Sequence, residues 1–419
     1  SGCITSIGNN VNESMSGFLN KKSSFLKIKD ISNLTELENY PIDQYVSPVN
    51  LSETDFLNHS NKFVRTRSCA FLDKSIEEAL DNAQISTEYI NLKSERIGVS
   101  VGSLSSNLSF LNENIKKATK SGYENISRLT MMNTLNNILA SVINVKYKLK
   151  GPMIVPSTAC ATGLSSIGEA YNMILMDYAD IFIVGASEEC LNPLTISGPR
   201  RIGAMNSAIK FEKISAPFDF QRNGLILGEG AGSIIMETLE SAINREAPII
   251  GEIIGYGCTS DGYHYVKPEE TGEGAFKSMK MAFDRAGLNN NLINEDLFIN
   301  AHATSTIVGD RAEVKAILKF KNYLLDQKCK IDNIIVTAQK GNIGHCFSSA
   351  GIIESICALE SLRISKIPPI CNFERFEEDL EQITLLDKLD DSREWKYCLK
   401  NSFGLGGVNN SIIFKKFVV

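Results

Sequence analysis

Short apolar runs alternate along this chain with longer stretches of helical periodicity. Arg96–Val101, Met153–Val155, Asp180–Ala186 and Ala231–Met236 read as short, largely buried strands. Glu13–Phe18 reads as the start of a helix. Ser68–Ala83 predicts another, with Phe71, Leu72, Ile76 and Leu80 on one face. Leu164, Ile167, Ala170, Tyr171 and Ile174 make the same pattern after Gly163. The theme continues with an apolar run at Ile249–Tyr256, a helix at Ala275–Ala286 and a strand at Leu297–Ala301. A helix at Asp310–Phe320, a strand at Ile334–Thr337 and a helix at Gly351–Leu362 follow. Cys398–Phe417 predicts two strands joined by a Gly-rich turn. The polar stretch Lys27–Asn61, broken by Pro41 and Pro48, suits a surface excursion. Strands alternating with helices predict a layered α/β fold. Direct internal self-similarity is too weak to identify a repeat.

Composition narrows the setting. The chain has 419 residues, 43% hydrophobic and 22% charged, the balance of a globular protein. A net charge of −6 gives no general attraction for nucleic acid, so an acidic partner needs a local basic patch. Ten cysteines are scattered without a C-x-x-C pair or zinc spacing, which predicts reduced thiols in a reducing compartment. No apolar run reaches transmembrane length and the start shows no signal peptide. A soluble protein without membrane insertion is expected.

Three turns carry candidate chemistry. Pro156-Ser157-Thr158-Ala159-Cys160-Ala161-Thr162-Gly163 reads as strand, tight turn and helix, with a cysteine at the helix start. Unpaired N–H groups and the helix dipole there favour an anion, and thus the reactive thiolate. A small buried cysteine is the plain alternative. Asn300-Ala301-His302-Ala303-Thr304-Ser305-Thr306 and Gln339-Lys340-Gly341-Asn342-Ile343-Gly344-His345 each follow an apolar run. They hold two of the chain's four histidines. Histidines at the exits of buried strands suit a site at the carboxyl edge of a sheet.

These turns, with Ala216-Pro217-Phe218-Asp219, Arg222-Asn223-Gly224, Gly228-Glu229-Gly230-Ala231-Gly232 and Asn401-Ser402-Phe403-Gly404-Leu405-Gly406-Gly407-Val408-Asn409, strongly resemble the elongating β-ketoacyl-[acyl-carrier-protein] synthases. Gly255-Tyr256-Gly257, Asp261 and His264 fit too, and the resemblance covers nearly the whole chain. The opening Ser1–Gly8 resembles the end of the family's first strand, whose beginning is not in this sequence. The resemblance implies a thiolase fold of two pseudo-equivalent halves in a five-layer α-β-α-β-α arrangement. The halves are placed at 1–247, with the nucleophile, and 248–419, with the His/Lys residues and the Gly-rich loop.

It also implies a decarboxylative Claisen condensation of an acyl group with malonyl-acyl-carrier-protein, in fatty-acid elongation. Specialised polyketide or polyene synthesis, and a non-catalytic partner subunit, are the alternatives. Cys160 would take the acyl group, with the backbone N–H groups of Cys160 and Leu405 as oxyanion hole. His302 and His345 would donate to the enolate oxygen, and Lys340 would hold charge nearby, partnered by Glu313. Thr304 and Thr306 would contact the phosphopantetheine arm. Phe403, Gly404, Leu405, Gly406, Gly407, Pro199 and Phe218 would form the gate and acyl pocket. Leu405 stands where the family usually has Phe, Pro199 where an aromatic is common, and Ser348-Ser349 where Gly-Ala is usual. Lys62, Arg65, Arg67, Arg200 and Arg201, with Lys116 and Lys117, are candidates for carrier-protein docking. Asn300, Glu354 and Asn401 match positions that hold a monovalent cation in some relatives. No cofactor is required beyond the carrier's phosphopantetheine. A homodimer is expected, with Asp180–Ala186 pairing across its axis and Met131–Thr134 near the partner's acyl pocket. The compartment is a mitochondrial or plastid matrix, or bacterial cytoplasm.

Overall fold

The computed structural model describes residues 1–31, 37, 44–59, 61–104, 107–206, 213–288, 297–377 and 383–418. Two sheets carry the architecture. The first holds β1 (Gly2–Ile4), β2 (Ile97–Gly102), β3 (Met153–Ile154), β4 (Ile181–Glu188) and β5 (Gly230–Glu237), in the order β1-β5-β4-β2-β3. The second holds β6 (Glu252–Ser260), β7 (Leu297–Asn300), β8 (Ile334–Thr337), β9 (Ile383–Leu385), β10 (Tyr397–Gly404) and β11 (Val408–Lys415), in the order β9-β8-β7-β10-β11-β6. The first sheet thus draws its strands from residues 2–237 and the second from residues 252–415.

Helices fill the space around them. α1 (Arg67–Asn82) and α2 (Ile138–Tyr147) cover the outer face of the first sheet. α3 (Thr162–Leu175) and α6 (Ala350–Ile364) pack between the sheets, and α4 (Glu273–Ala286) and α5 (Ile307–Asp326) cover the outer face of the second. The result is five layers, α-β-α-β-α. α1 starts where Thr66 accepts a hydrogen bond from Cys69 N at 3.2 Å, an N-cap contact. The central helix α6 is buried on every side from Ala350 to Leu362, as a helix between two sheets must be. Its Ile352, Ile353 and Ile356 join Leu164 and Ile167 of α3 with Phe182 and Phe298 in one core.

Two expectations are corrected. Asp180–Ala186 does not lie at an edge, because β4 is hydrogen-bonded to β5 on one side and β2 on the other. Among the described residues, the strand with a free side at that end of the sheet is β3. Lys27–Asn61 is not wholly a surface excursion either. Tyr45–Ser47 is a strand in a small sheet with Leu26–Lys27 and Leu227–Gly228, and Ile28, Val46 and Val49 are buried. Pro41 lies outside the described residues.

Candidate active site

The nucleophile turn is built by local hydrogen bonds. After β3 the chain passes Ala159 at φ +51°, makes a 3-10 turn over Ala159–Ala161 and enters α3. Thr162 Oγ1 donates to Ala159 O at 2.7 Å and accepts from Thr158 N at 2.9 Å, which fixes the turn. Ser402 Oγ on β10 donates to Cys160 O at 3.1 Å, tying it to the second half. Gly163 is required here: a Cβ would lie 2.7 Å from Ile352 N and 2.8 Å from Ser348 O. The backbone N–H groups of Leu405 and of Cys160 itself both bear on the sulfur.

The expectation of an easily ionised thiol is corrected. Cys160 is buried, and burial pushes its pKa up to about 11 against the opposing pull of Lys340 and the two N–H groups. Desolvation of the charged form outweighs the helix terminus in the free protein.

The two histidine turns converge. The rings of His302 and His345 lie 5.4 Å apart, edge to face. Phe403 stands 5.6 Å from His302, and Phe347 stands 5.5 Å from His345. Both imidazoles are buried, and burial together with the Lys340 charge holds each pKa well below the usual value. Both are therefore neutral at pH 7. Lys340 Nζ lies 2.5 Å from His302 O and 3.5 Å from His302 Nδ1. An ammonium can only donate, so Nδ1 is the acceptor and Nε2 carries the proton. His345 is held by its backbone, with N donating to Ile226 O at 2.6 Å and O accepting from Gly228 N at 3.1 Å. Neither of its ring nitrogens has a protein partner among the described residues.

Glu313 is not the partner of Lys340. Its two oxygens accept from His302 N at 2.8 Å and Ala303 N at 2.7 Å, so it shapes the histidine loop. The partner is Glu354, whose Oε1 lies 2.6 Å from Lys340 Nζ. Its Oε2 lies 2.6 Å from Lys400 Nζ, a residue the sequence reading passed over. The available signal was a lysine inside the otherwise apolar run before Asn401.

The other candidates separate into those that join the site and those that do not. Gly404 and Leu405 follow Phe403 at the end of β10, and Leu405 is 51% exposed at the surface. Gly406 and Gly407 take φ of +90° and +81°, which glycine permits without strain. Thr304 and Thr306 are half-buried, with their hydroxyls 2.9 Å apart. Pro199 is half-buried on the helix Pro193–Arg201, whose Ile196 packs in one apolar cluster with Cys160. That cluster also holds Val46, Leu191, Met205, Leu225, Leu227 and Phe347, gathered from short elements and loops without periodicity. Phe218 does not belong to it. Phe218 is fully buried in the outer core of the second half, among Met279, Phe283 and Phe320. Its N–H donates to Asp310 Oδ2 at 2.8 Å, a carboxyl that burial pushes up to about 7.

Lys62, Arg65 and Arg201 are exposed, as are Lys116 and Lys117. Arg200 donates to Gln44 Oε1 at 3.2 Å. Arg67 is withdrawn from the docking set, because its guanidinium is paired with buried Glu229 and donates to Val49 O at 3.1 Å. Ser348 donates to Glu188, a fully buried carboxylate. A cavity of about 800 Å³ opens elsewhere, beside Ile234, Tyr171 and Arg363, and none of the site residues lines it.

Comparison with known proteins gives the family. A family model of the beta-ketoacyl synthase N-terminal domain matches residues 1–242, and one of the C-terminal domain matches residues 250–374. The 3-oxoacyl-[acyl-carrier-protein] synthase homolog of Saccharomyces cerevisiae is 34% identical, over 99% of this chain and 97% of that protein. A putative mitochondrial 3-oxoacyl-[acyl-carrier-protein] synthase of Schizosaccharomyces pombe is 31% identical, over 100% of this chain and 98% of that protein. A ketosynthase solved in complex with its type II polyketide acyl-carrier protein superposes with a TM-score of 0.82 at 25% identity, over 100% of this chain and 98% of that one.

Proposed function

This chain belongs to the beta-ketoacyl synthase family, and we infer that it condenses an acyl group with malonyl-acyl-carrier-protein to a 3-oxoacyl thioester in fatty-acid elongation. The observation that carries the mechanism is one cluster: a sulfur under two backbone N–H groups, with two neutral histidines and a buried lysine beside it.

In the first step the Cys160 sulfur attacks the acyl thioester carbon. The carbonyl oxygen becomes an oxyanion and takes the N–H groups of Cys160 and Leu405. The carrier thiolate leaves and takes up the proton released from Cys160. With the thiol raised to about 11, the resting enzyme holds it protonated, and the charge on Lys340 favours the thiolate as it forms. The acyl chain enters the apolar cluster around Cys160.

In the second step the malonyl thioester loses CO₂, and its electron pair becomes an enolate. The enolate oxygen accepts from His302 Nε2–H and from a ring N–H of His345. Neutral imidazoles suit this role, because each brings a donor without the desolvation of a buried cation. The enolate carbon then attacks the acyl-cysteine carbon, and the same N–H pair takes the second oxyanion. Cys160 leaves as thiolate and is reprotonated. The electron pairs are carried by these residues and the two thioesters, and the proton that returns to Cys160 is taken up from solvent. The carrier's phosphopantetheine arm reaches the site past Thr304 and Thr306, and Lys62, Arg65 and Arg201 offer exposed positive charge to an acidic carrier.

We propose a homodimer formed through β3, whose outer side is unpaired among the described residues and whose Met153 is 37% exposed. No helix among the described residues is long and apolar enough to cross a membrane. The mitochondrial name of the fission-yeast relative supports a mitochondrial matrix location. Retention of Cys160, both histidines and Lys340 speaks against a non-catalytic subunit. Mixing the protein with acyl- and malonyl-carrier proteins tests the reading, with 3-oxoacyl carrier and CO₂ formed in equal amounts as the expected result. CO₂ release without a new carbon–carbon bond, or no turnover with any acyl length, would contradict it.

A further inference from the structure

The sequence resemblance implies a monovalent cation near Asn300, Glu354 and Asn401, and the side chains present do not fit one. Lys400 Nζ already lies 2.6 Å from Glu354 Oε2 and 3.1 Å from the Ala301 carbonyl oxygen. Lysine and glutamate are both completely buried. Asn401 is engaged elsewhere, with Nδ2 donating to Glu313 Oε1 at 3.3 Å and Oδ1 accepting from Ser411 Oγ at 2.9 Å. Asn300 Nδ2 donates to Gln339 Oε1 at 2.8 Å, and Asn300 Oδ1 is a buried oxygen without a protein partner among the described residues. Asn300 and Lys400 are register partners on the parallel strands β7 and β10, so they stand on the same face of the sheet. That face meets Glu354 of α6.

A carboxylate, a main-chain carbonyl and an amide oxygen are the ligand types of a hard cation. Here the first two hold a primary ammonium. We propose that Lys400 is a tethered cation built into the chain, and that it frees this site from any need for a monovalent metal ion. The charge count agrees. Lys340 and Lys400 both face Glu354, with Glu313 joined to the cluster through Asn401, and a metal ion added beside the two lysines would bring a further positive charge into it.

Lys400 acts through others and is a positioning residue. Glu354 divides its two oxygens between Lys340 and Lys400 at 2.6 Å each. Without Lys400, one oxygen of a fully buried carboxylate faces no positive charge, a state proteins avoid. Glu354 would then draw Lys340 away from His302, whose carbonyl and Nδ1 it holds. Lys400 also fixes the Ala301 carbonyl, one residue before His302.

The test compares melting and turnover in potassium, sodium and tetramethylammonium chloride at matched ionic strength. Its activity arm rests on the condensing role given above; its melting arm does not. Wild type should melt at one temperature and condense at one rate in all three salts. Lys400→Met should still acylate Cys160. In tetramethylammonium it should lose condensation about 10- to 100-fold, the scale of outer-shell partners of a reacting centre. Potassium or sodium should restore part of the rate and raise the melting temperature, because each fits an oxygen-lined space too small for tetramethylammonium. Lys400→Met/Glu354→Gln, with both charges removed, should melt identically in all three salts. If Lys400→Met unfolds in tetramethylammonium, folding in potassium supports the proposal and unfolding in both salts overturns it. A wild type that melts higher in potassium or sodium overturns it too, as does a Lys400→Met variant indifferent to the salt. A wild type that never condenses contradicts the functional reading, while the melting comparison still judges Lys400.

Discussion

The turn before α3 and the turn before α6 have the same shape and opposite uses. Each opens on a non-glycine residue at positive φ, Ala159 at +51° and Phe347 at +45°. Each then makes a 3-10 turn, Ala159–Ala161 or Phe347–Ser349, and enters a helix whose second residue is glycine. The glycines face one another's helices. A Cβ on Gly163 would strike Ile352 N at 2.7 Å, and one on Gly351 would strike Leu164 N at 2.9 Å. Cys160 and Ser348 therefore hold equivalent places in the two turns. Cys160 is left with two backbone N–H groups bearing on its sulfur. Ser348 has its hydroxyl engaged by the buried carboxylate of Glu188. The second turn contributes instead through His345, three residues before Ser348. Shape and helix terminus are common to both; which atom is left free decides which turn is the nucleophile. The raised thiol pKa makes the same point, since a helix start alone does not ionise a buried cysteine.

That contrast is broken most severely by changing the two equivalent residues. Cys160→Ala should lower turnover by about 10⁶-fold, the scale of losing a hydrolase nucleophile. Ser348→Cys placed in the Cys160→Ala background should restore none of it, because that side chain faces the buried carboxylate of Glu188, which opposes a thiolate. Steady-state condensation with defined carriers reads both. Recovery in the double variant would mean that the two turns are interchangeable.

Changing the second turn should separate the half-reactions. His345→Ala should lower condensation by about 10²–10³-fold, as deletion of an oxyanion donor does, and leave acylation of Cys160 near its normal rate. His302→Ala should behave alike. Equal loss of both steps, followed by single-turnover mass analysis, would remove the histidines from the enolate role.

A smaller change at the first turn concerns selectivity. Leu405→Phe keeps the backbone N–H at 405 and enlarges a side chain that is 51% exposed at the surface. The ratio of kcat/KM between short and long acyl carriers should move by about 1–3 kcal/mol in transition-state terms, the range pocket shape supplies. Unchanged ratios would place selectivity deeper, toward Met205 and Leu225.

The smallest effect is one of pH. His302 and His345 have folded pKa values well below their ordinary value, while unfolded imidazoles titrate near about 6.5. The folded state thus binds fewer protons below that pH. Their stabilisation is fully present above about pH 6.5 and is lost as pH falls, by up to about 1.4 kcal/mol per pH unit for each histidine. His345→Gln should show a shallower loss between neutral pH and pH 5 in denaturant titrations. A slope equal to wild type would mean that His345 is not held neutral by the fold.

Much of this was legible in the chain. The alternation of apolar runs and helical stretches marks the strands of both sheets and the central helices, because a half-buried element keeps its period and one buried on all sides reads as a continuous apolar run of matching length. Cys160, His302, Lys340 and His345 stand in turns whose Gly, Ser and Thr borders announce a strand exit. Long-range pairing was not legible. Lys340 meets Glu354 rather than Glu313 because α6 passes between the sheets, and sequence spacing carries no trace of that approach. Arg67 reads as free charge until Glu229, far along the chain, closes on it. The equivalence of the two turns is likewise hidden, since Cys160 and Ser348 share backbone geometry and almost no side chains.

The central claim is that one sulfur among ten cysteines takes the acyl group. It is tested most directly by mixing the protein with an acyl-carrier-protein thioester, quenching in acid and mapping the adduct by peptide mass. A single acyl group on the peptide carrying Cys160, absent from the Cys160→Ala variant, is the predicted result. An adduct on any other cysteine or on Ser348, or its persistence in Cys160→Ala, would contradict the account.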